Sequence, residues 1–317
     1  MTIALTTIRK PHRRQKLLRR LRLLDLIHQN SYRKLIFLCA PAGFGKTTLL
    51  IDYAEDTELN VSWYQIKYSD DNLAVFFQHF LASIREKHPN FGESIEKILF
   101  QGSNISPRIL ATELINELAI DIQDFTLLVL DDYHHVCENL EIVTFIEFLL
   151  ENLPEHIRII IVSRSVYGIP TASLFVNEEL AIISKDDLKF RPQEVRDLAR
   201  QHFQVRLSDQ ESEEIVQKSD GWIIAVLLSL RDGARKTSFP KITDARERIF
   251  DYFGQEVYSQ LNEKTKNFLI VTAVSDEFNT EMANFVLETD NADKLIKSIE
   301  DQNLFISSMP TRRGELY

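Results

Sequence analysis

The stretch from residue 35 to residue 51 constrains the fold most. Leu35-Ile36-Phe37-Leu38 is an apolar run without polar alternation. Ala40-Pro41-Ala42-Gly43-Phe44-Gly45-Lys46-Thr47-Thr48 follows it, and Leu49-Leu50-Ile51 continues as a second apolar segment. A buried strand, a glycine turn and a helix opened by Gly-Lys-Thr form the P-loop arrangement. Phosphate oxygens need many donors at short range. A loop of small residues lets successive backbone N–H groups point inward, and the helix N-terminus adds a favourable dipole. Lys46 is placed to bridge the outer phosphates, and the Thr47 hydroxyl to bind the magnesium that accompanies a nucleoside triphosphate. The usual pattern begins with glycine where this chain has Ala40. Alanine is small enough for the loop to form.

A second motif supplies partners. Phe125-Thr126-Leu127-Leu128-Val129-Leu130 reads as a strand buried on both faces, as in a parallel α/β sheet, and Asp131-Asp132 end it. Ligands bind at the carboxyl ends of such strands. Asp131 is placed to hold magnesium through water, and Asp132 to orient or deprotonate an attacking water. Two acids ending a strand also occur as a capped turn. A third strand, Ile157-Arg158-Ile159-Ile160-Ile161-Val162, ends in Ser163-Arg164-Ser165. There Arg164 can reach a γ-phosphate, or be a solvated surface arginine.

Around these motifs the periodicity alternates. A helix runs from the loop to about Ala54, and a strand covers 60–66. Helical spacing then governs Leu73, Phe76, Phe77, Phe80, Leu81 and Ile84. Ser106-Pro107 opens a helix as N-cap and first residue. Another helix carries Ile142, Phe145, Ile146 and Leu149, and Leu180-Ala181-Ile182-Ile183 is a last short strand. Strands alternating with helices predict a right-handed parallel sheet.

Beyond Asp187 the chain becomes nearly all helical. Phe190-Arg191-Pro192 starts one helix, Ser208-Asp209-Gln210-Glu211 is a capping box, and Gly221-Trp222 precedes the apolar run from Ile223 to Leu230. Thr237-Ser238-Phe239-Pro240 reads as a linker. Helices near 244–261, 262–273, 279–287 and 292–302 follow. Leu304 to Met309, a turn through Arg313-Gly314, and Glu315-Leu316-Tyr317 close the sequence as a hairpin. Helices before a hairpin predict a winged helix. Nine basic against fourteen acidic residues between Lys241 and Tyr317 argue against a phosphate-binding surface and for an intramolecular packing module.

The formal net charge is −10, unevenly spread. Between Arg9 and Lys34 ten basic residues face only Asp25. Such an arm can touch nucleic acid or anionic lipid, or line the nucleotide site. Leu17, Leu18, Leu21, Leu24 and Ile27 recur at helical spacing, which predicts a packed helix with a solvated basic face. No apolar run reaches the length of a membrane span, and the N-terminus is too charged for a signal peptide. Cys39 and Cys137 make no disulfide framework. The cytoplasm is the expected location, and no membrane partner is expected.

Taken in order, these segments resemble the nucleotide-binding core of the MalT-type activators, the large LuxR-type regulators among the signal-transduction ATPases with numerous domains (STAND). The resemblance covers nearly the whole chain. It rests on Arg20-Leu21-Arg22-Leu23-Leu24, the loop from Ala40 to Thr48, Leu130-Asp131-Asp132-Tyr133-His134, Val162-Ser163-Arg164, Ser219-Asp220-Gly221-Trp222 and Asn303-Leu304-Phe305. The family's loop commonly begins with alanine or serine.

The resemblance implies an α/β class: a P-loop NTPase parallel sheet (1–187, with the basic N-terminal helix), then a helical domain (188–240) and a winged-helix domain (241–317). It implies ATP and ADP with Mg2+ as ligands, slow regulatory hydrolysis, and self-association when ATP is bound. Ala42, Gly43, Phe44, Gly45, Lys46, Thr47 and Thr48 would hold the phosphates, Thr47 and Asp131 the metal, and Arg20 the adenine side. Lys46, Asp132 and Arg164 would serve hydrolysis. Some relatives place a proline after the Gly-Trp pair, where this chain has Ile223. Trp222 is expected in the core, and His134 and His135 as cap or packing residues. Inducer and DNA would be bound by C-terminal domains absent from this sequence. A histidine beyond Tyr317 would complete the site, so the chain reads as truncated in its last hairpin. A fast P-loop enzyme such as a kinase or motor, a module with an inert pocket, and a defence or stress sensor are the competing readings.

Overall fold

The computed structural model describes residues 3–13, 18–93, 95, 106–166, 168–169, 171–234, 254, 258–275, 277–301, 306, 309–311 and 314–317. The expected linker at 237–240 and most of the expected helix over 244–261 lie outside them. So do Arg14, Lys16, Leu17 and most of the expected strand from Leu304 to Met309. The chain divides into two compact units. One is Met1–Ala40 with Gly45–Lys189, and the other is Pro41–Phe44 with Phe190–Tyr317.

The first unit is a parallel sheet with helices. Its strands are β1 (Leu35–Cys39), β2 (Asn60–Gln65), β3 (Thr126–Asp131), β4 (Ile157–Ser163) and β5 (Leu180–Ile183), in the order β2-β3-β4-β1-β5. All neighbours run parallel. Every residue of β1 and β3 is buried, as their unbroken apolar runs require when helices cover both faces. The expected strand beginning at Phe125 begins at Thr126, because Phe125 is exposed.

The register brings the polar strand ends together. Gln65 lies opposite Asp131, and Cys39 opposite Ser163. Cys39, Gln65, Asp131 and Ser163 therefore share the carboxyl edge of the sheet. On one face Phe76, Phe77 and Phe80 of the helix Leu73–Arg85 pack on Phe145 of the helix Leu140–Glu151, with Phe77 and Phe145 edge to face at 5.5 Å. Asn72 and Asn139 cap these helices through their side-chain oxygens. Ser106 makes no side-chain cap bond, and Pro107 alone marks the start of the helix Pro107–Asp121.

The N-terminal arm departs from expectation. The helix begins at Leu21 and ends at Gln29, burying Leu23, Leu24 and Ile27 and leaving Leu21 exposed. The basic residues do not form one solvated helical face. Lys10 pairs with Glu55 at 3.1 Å, Arg13 with buried Asp52 at 2.5 Å, and Arg19 with Asp56. Arg9 reaches Glu86 at 2.5 Å, and Lys34 reaches Glu179 at 2.8 Å. The acidic end of the helix Lys46–Asp56 takes up much of the arm's charge. Among the described residues, charge separated widely in sequence is thus paired within the unit, at Arg9, Lys10, Arg13, Arg19 and Lys34.

The second unit carries the helices Pro192–Leu198, Asp209–Ser219, Ile223–Ala234, Glu263–Thr272, Thr280–Leu287 and Ala292–Asp301. The Ser208 capping box forms, with Glu211 N–H on Ser208 Oγ at 3.2 Å and Ser208 N–H on Glu211 Oε2 at 2.8 Å. Strands β6 (Met309–Thr311) and β7 (Gly314–Leu316) pair antiparallel behind the last three helices, as a winged helix requires. The hairpin is extended where Phe278 and Tyr317 exchange both main-chain hydrogen bonds, at 2.9 and 3.1 Å. Phe268, Phe278, Ile296 and Ile299 centre its core.

Candidate functional site

The loop between β1 and the helix Lys46–Asp56 has the conformation its glycines predict. Gly43 and Gly45 both have left-handed φ, +80° and +78°, which turn the backbone sharply without a Cβ penalty. Gly43 also lacks space: a Cβ there would lie 2.5 Å from Ile224 Cδ1 and 2.8 Å from Trp222 Nε1. Within the second unit, the Trp222 indole N–H donates to the Ala42 carbonyl at 3.2 Å. Trp222 is thus a half-buried partner of the loop rather than only a core residue. Ala42 and Phe44 are buried, whereas Thr48 is half-buried on the helix's first turn.

Lys46 is 8% exposed, and its ammonium donates to the Ala40 carbonyl at 2.5 Å. Burial, then the nearby Arg164 charge, lowers its pKa to about 8, against the pull of Asp132 and Asp131. An amine held this way gains from any anion brought beside it. The Thr47 hydroxyl lies 3.0 and 3.2 Å from the two carboxylate oxygens of Asp131. Asp131 is fully buried, and burial, reinforced by Asp132, raises its pKa to about 7, opposed by Thr47 and Lys46. A hydroxyl and a carboxylate converging in this way fit magnesium, which takes one or two protein oxygens and completes its shell with phosphate and water. No group of three or more His, Cys, Asp or Glu able to hold a metal occurs among the described residues.

Asp132 has φ +62°, a left-handed position for a non-glycine residue. Its backbone N–H donates to Asp131 Oδ1 at 3.1 Å, and its own Oδ2 accepts from Gln65 Nε2 at 3.3 Å. The turn therefore separates the two acids, one sealed against Thr47 and the other half-buried. Arg164 directly follows β4, close enough for its charge to act on Lys46, His134 and His135. Lys46, Thr47, Asp131, Asp132 and Arg164 are thus brought together at one sheet edge.

Arg20 is held by backbone carbonyls. Its guanidinium donates to the Leu188 and Lys189 carbonyls, both at 2.8 Å, and Arg22 donates to those of Asp187 and Lys189. These contacts make it a clasp on the last residues of the first unit. Gln65, a polar residue ending an apolar strand, joins this edge without having been expected there. His134 and His135 are expected as cap or packing residues. They form a 3-10 turn with Tyr133, and their rings lie 4.2 Å apart.

Residues 254–317 match the family described as MalT winged helix domain. Residues 13–164 match the one described as Nephrocystin 3, N-terminal. Serine/threonine-protein kinase PknK of Mycobacterium tuberculosis is 29% identical over 297 residues, covering 92% of this chain and 27% of that protein. HTH-type transcriptional regulator MalT of Vibrio parahaemolyticus is 29% identical over 304 residues, covering 94% of this chain and 33% of that protein. The chain thus spans about a third or less of the curated relatives it matches. Among solved structures, the Walker-type ATPase paby2304 of Pyrococcus abyssi superposes with a TM-score of 0.60 at 11% identity, covering 97% of this chain and 95% of that one. The fold is a parallel α/β sheet with a P-loop sequence followed by a winged helix, and the chain is similar to the MalT-type regulators over most of its own length.

Proposed function

We propose that this chain is the nucleotide-binding regulatory core of a signal-transduction ATPase of MalT type. The observation that carries the reading is the convergence of Lys46, Thr47, Asp131, Asp132 and Arg164 at the carboxyl edge of β1, β3 and β4. In this reading the backbone of Ala42 to Thr48, with Gly43, Phe44, Gly45 and Thr48, cradles the phosphates of ATP or ADP. Thr47 and Asp131 would hold magnesium, whose charge offsets that of the phosphates. Asp132 orients the attacking water, and Arg164 reads the γ-phosphate. Arg20 would lie near the adenine side. Residues 1–187, 188–240 and 241–317 act as nucleotide-binding, helical and winged-helix domains.

Turnover is slow in this reading, and the change from ATP to ADP is the output. A ligand shifts a conformational equilibrium only by its differential affinity for the two states, so the γ-phosphate must favour the self-associating state. Inducer and promoter contacts fall outside these residues. The location is the cytoplasm, where the nucleotide is supplied. No helix among the described residues is long and apolar enough to cross a membrane. A second reading keeps the switch but changes its output, because a relative named as a protein kinase matches as well as one named as a transcriptional regulator.

Calorimetric titration with magnesium-ATP and magnesium-ADP tests the reading. Wild-type protein should bind both, and Lys46→Ala should lose at least about 100-fold for each, the weight of a buried charge-assisted contact. Unchanged affinity in Lys46→Ala would remove the nucleotide site. Turnover above about 10 s⁻¹, the middle of the ordinary enzyme range, would favour a catalyst over a switch.

A further inference from the structure

His134 is the least satisfied polar side chain near the sheet edge. Neither Nδ1 nor Nε2 has a hydrogen-bond partner, and both are enclosed. Burial, with Arg164, His135 and Lys46 nearby, drives its pKa far below the usual histidine range, so the ring is neutral. A neutral imidazole has one N–H donor and one acceptor nitrogen. Leaving both unpaired in the interior is unfavourable by about 1–3 kcal/mol for each group. Folded proteins rarely retain such a group without a use for it.

The neighbours narrow that use. Lys46 and Arg164 lie near enough for their charges to act on the His134 ring, and in the nucleotide reading they are the two cations that address the outer end of a bound triphosphate. The turn Tyr133–His135 follows the left-handed Asp132, and Tyr133 is anchored by its hydroxyl on the Gly168 carbonyl at 3.0 Å. His135 lies against the other ring at 4.2 Å. The imidazole is therefore fixed in place among cations, with donor capacity unused. It can add a hydrogen bond to a phosphate oxygen without adding a third positive charge that the empty site would have to bury.

We propose that His134 is a specificity-determining residue, which donates a ring N–H to the terminal phosphate that Lys46 and Arg164 address and so separates a nucleoside triphosphate from a diphosphate. This rests on the nucleotide reading above. A packing role, the alternative, would affect the two nucleotides equally.

The test is calorimetric titration of the full chain with magnesium-ATP and magnesium-ADP, comparing wild type, His134→Phe and His134→Gln. The readout is the ratio of the two affinities. His134→Phe, which fills the space without a donor, should weaken ATP by about 10- to 100-fold, as for one hydrogen bond to a charged group, and leave ADP within about twofold. His134→Gln keeps a donor and should retain most of the ratio. His134→Leu gives the same readout if the larger ring is not accommodated. An unchanged ratio in the donorless variant, or equal losses for both nucleotides, overturns the assignment. If the wild type binds neither nucleotide, the site itself fails. If it binds both and the donorless variant keeps the ratio, only the His134 role fails.

Discussion

The Thr47 hydroxyl sits 3.0 Å from one Asp131 carboxylate oxygen and 3.2 Å from the other, joining the first turn of the helix after the P-loop to the end of β3 across 84 positions of sequence. In the proposed reading this contact brings together the two oxygens that would hold magnesium. Thr47→Val keeps the shape and removes the hydroxyl. It should leave folding intact and reduce the gain in ATP affinity that magnesium provides by about tenfold or more, the worth of a hydrogen bond or metal contact to a charged group. Titrations with and without magnesium check this. An undiminished magnesium effect would remove Thr47 from the metal site.

The protonation of Asp131 sets a pH dependence. Its pKa is raised to about 7, chiefly by burial, above that of an unfolded aspartate. Between about pH 4 and 7 the folded chain therefore holds a proton that the unfolded chain has released, and stability falls as pH rises through that window. Metal binding needs the carboxylate, so magnesium-dependent ATP affinity should fall as pH drops below 7, approaching tenfold per unit. Asp131→Asn should flatten that profile. It should also raise the melting temperature of the nucleotide-free protein at pH 8 by about 2–4 °C, as for roughly 1 kcal/mol in a domain of this size. Affinity independent of pH from 6 to 8 would speak against Asp131 as a metal ligand.

The sheet was legible because its signals are local. Leu35 to Leu38, Leu127 to Leu130 and Ile159 to Val162 are apolar on both faces, and only a covered parallel sheet uses such strands. The loop's turn and the acids that end β3 were legible for the same reason: the left-handed Gly43 and Gly45 and the position of Asp131 at the strand end follow from local residue types. The N-terminal arm was not. Leu17, Leu18 and Leu21 have helical spacing, but Arg13, Arg19 and Arg20 answer to Asp52, Asp56 and the 188–189 backbone, partners that a helical period cannot reveal. The surroundings of His134 were hidden in the same way: its place in a short turn is local, whereas Lys46 and Arg164, whose charges act on it, come from far along the chain.

Arg20 offers a test of clasp against ligand. Its fork donates to the Leu188 and Lys189 carbonyls at 2.8 Å each and is 9% exposed. Arg20→Met keeps the aliphatic stem and takes the guanidinium donor from the buried Leu188 carbonyl, while Arg22 still reaches that of Lys189. It should destabilise the fold by about 2 kcal/mol, lowering the melting temperature by about 4–8 °C. Arg20→Lys should recover under half of this, because one ammonium cannot reproduce a planar fork. ATP affinity should change by less than about threefold, near the noise of a single weak contact. A large affinity loss with unchanged melting would instead assign Arg20 to the nucleotide.

Gly43 is constrained twice, by conformation and by contact. A left-handed φ of +80° disfavours any other L-residue by about 1–2 kcal/mol. A methyl would also meet Ile224 Cδ1 at 2.5 Å and Trp222 Nε1 at 2.8 Å, displacing the indole from the Ala42 carbonyl. The two penalties separate by mutation. Gly43→Ala should weaken ATP by more than about tenfold, since 1.4 kcal/mol of loop distortion suffices. Adding Ile224→Ala removes the closer obstacle but not the backbone strain, so the double variant should recover only part of the loss. Trp222→Phe, which deletes the N–H while the glycine stays, should weaken ATP by a smaller factor and change the intrinsic fluorescence left by the only other tryptophan, Trp63. Full recovery in the double variant would mean that contact alone fixes Gly43. Wild-type affinity in Gly43→Ala would mean that the loop reaches the phosphates in a different conformation.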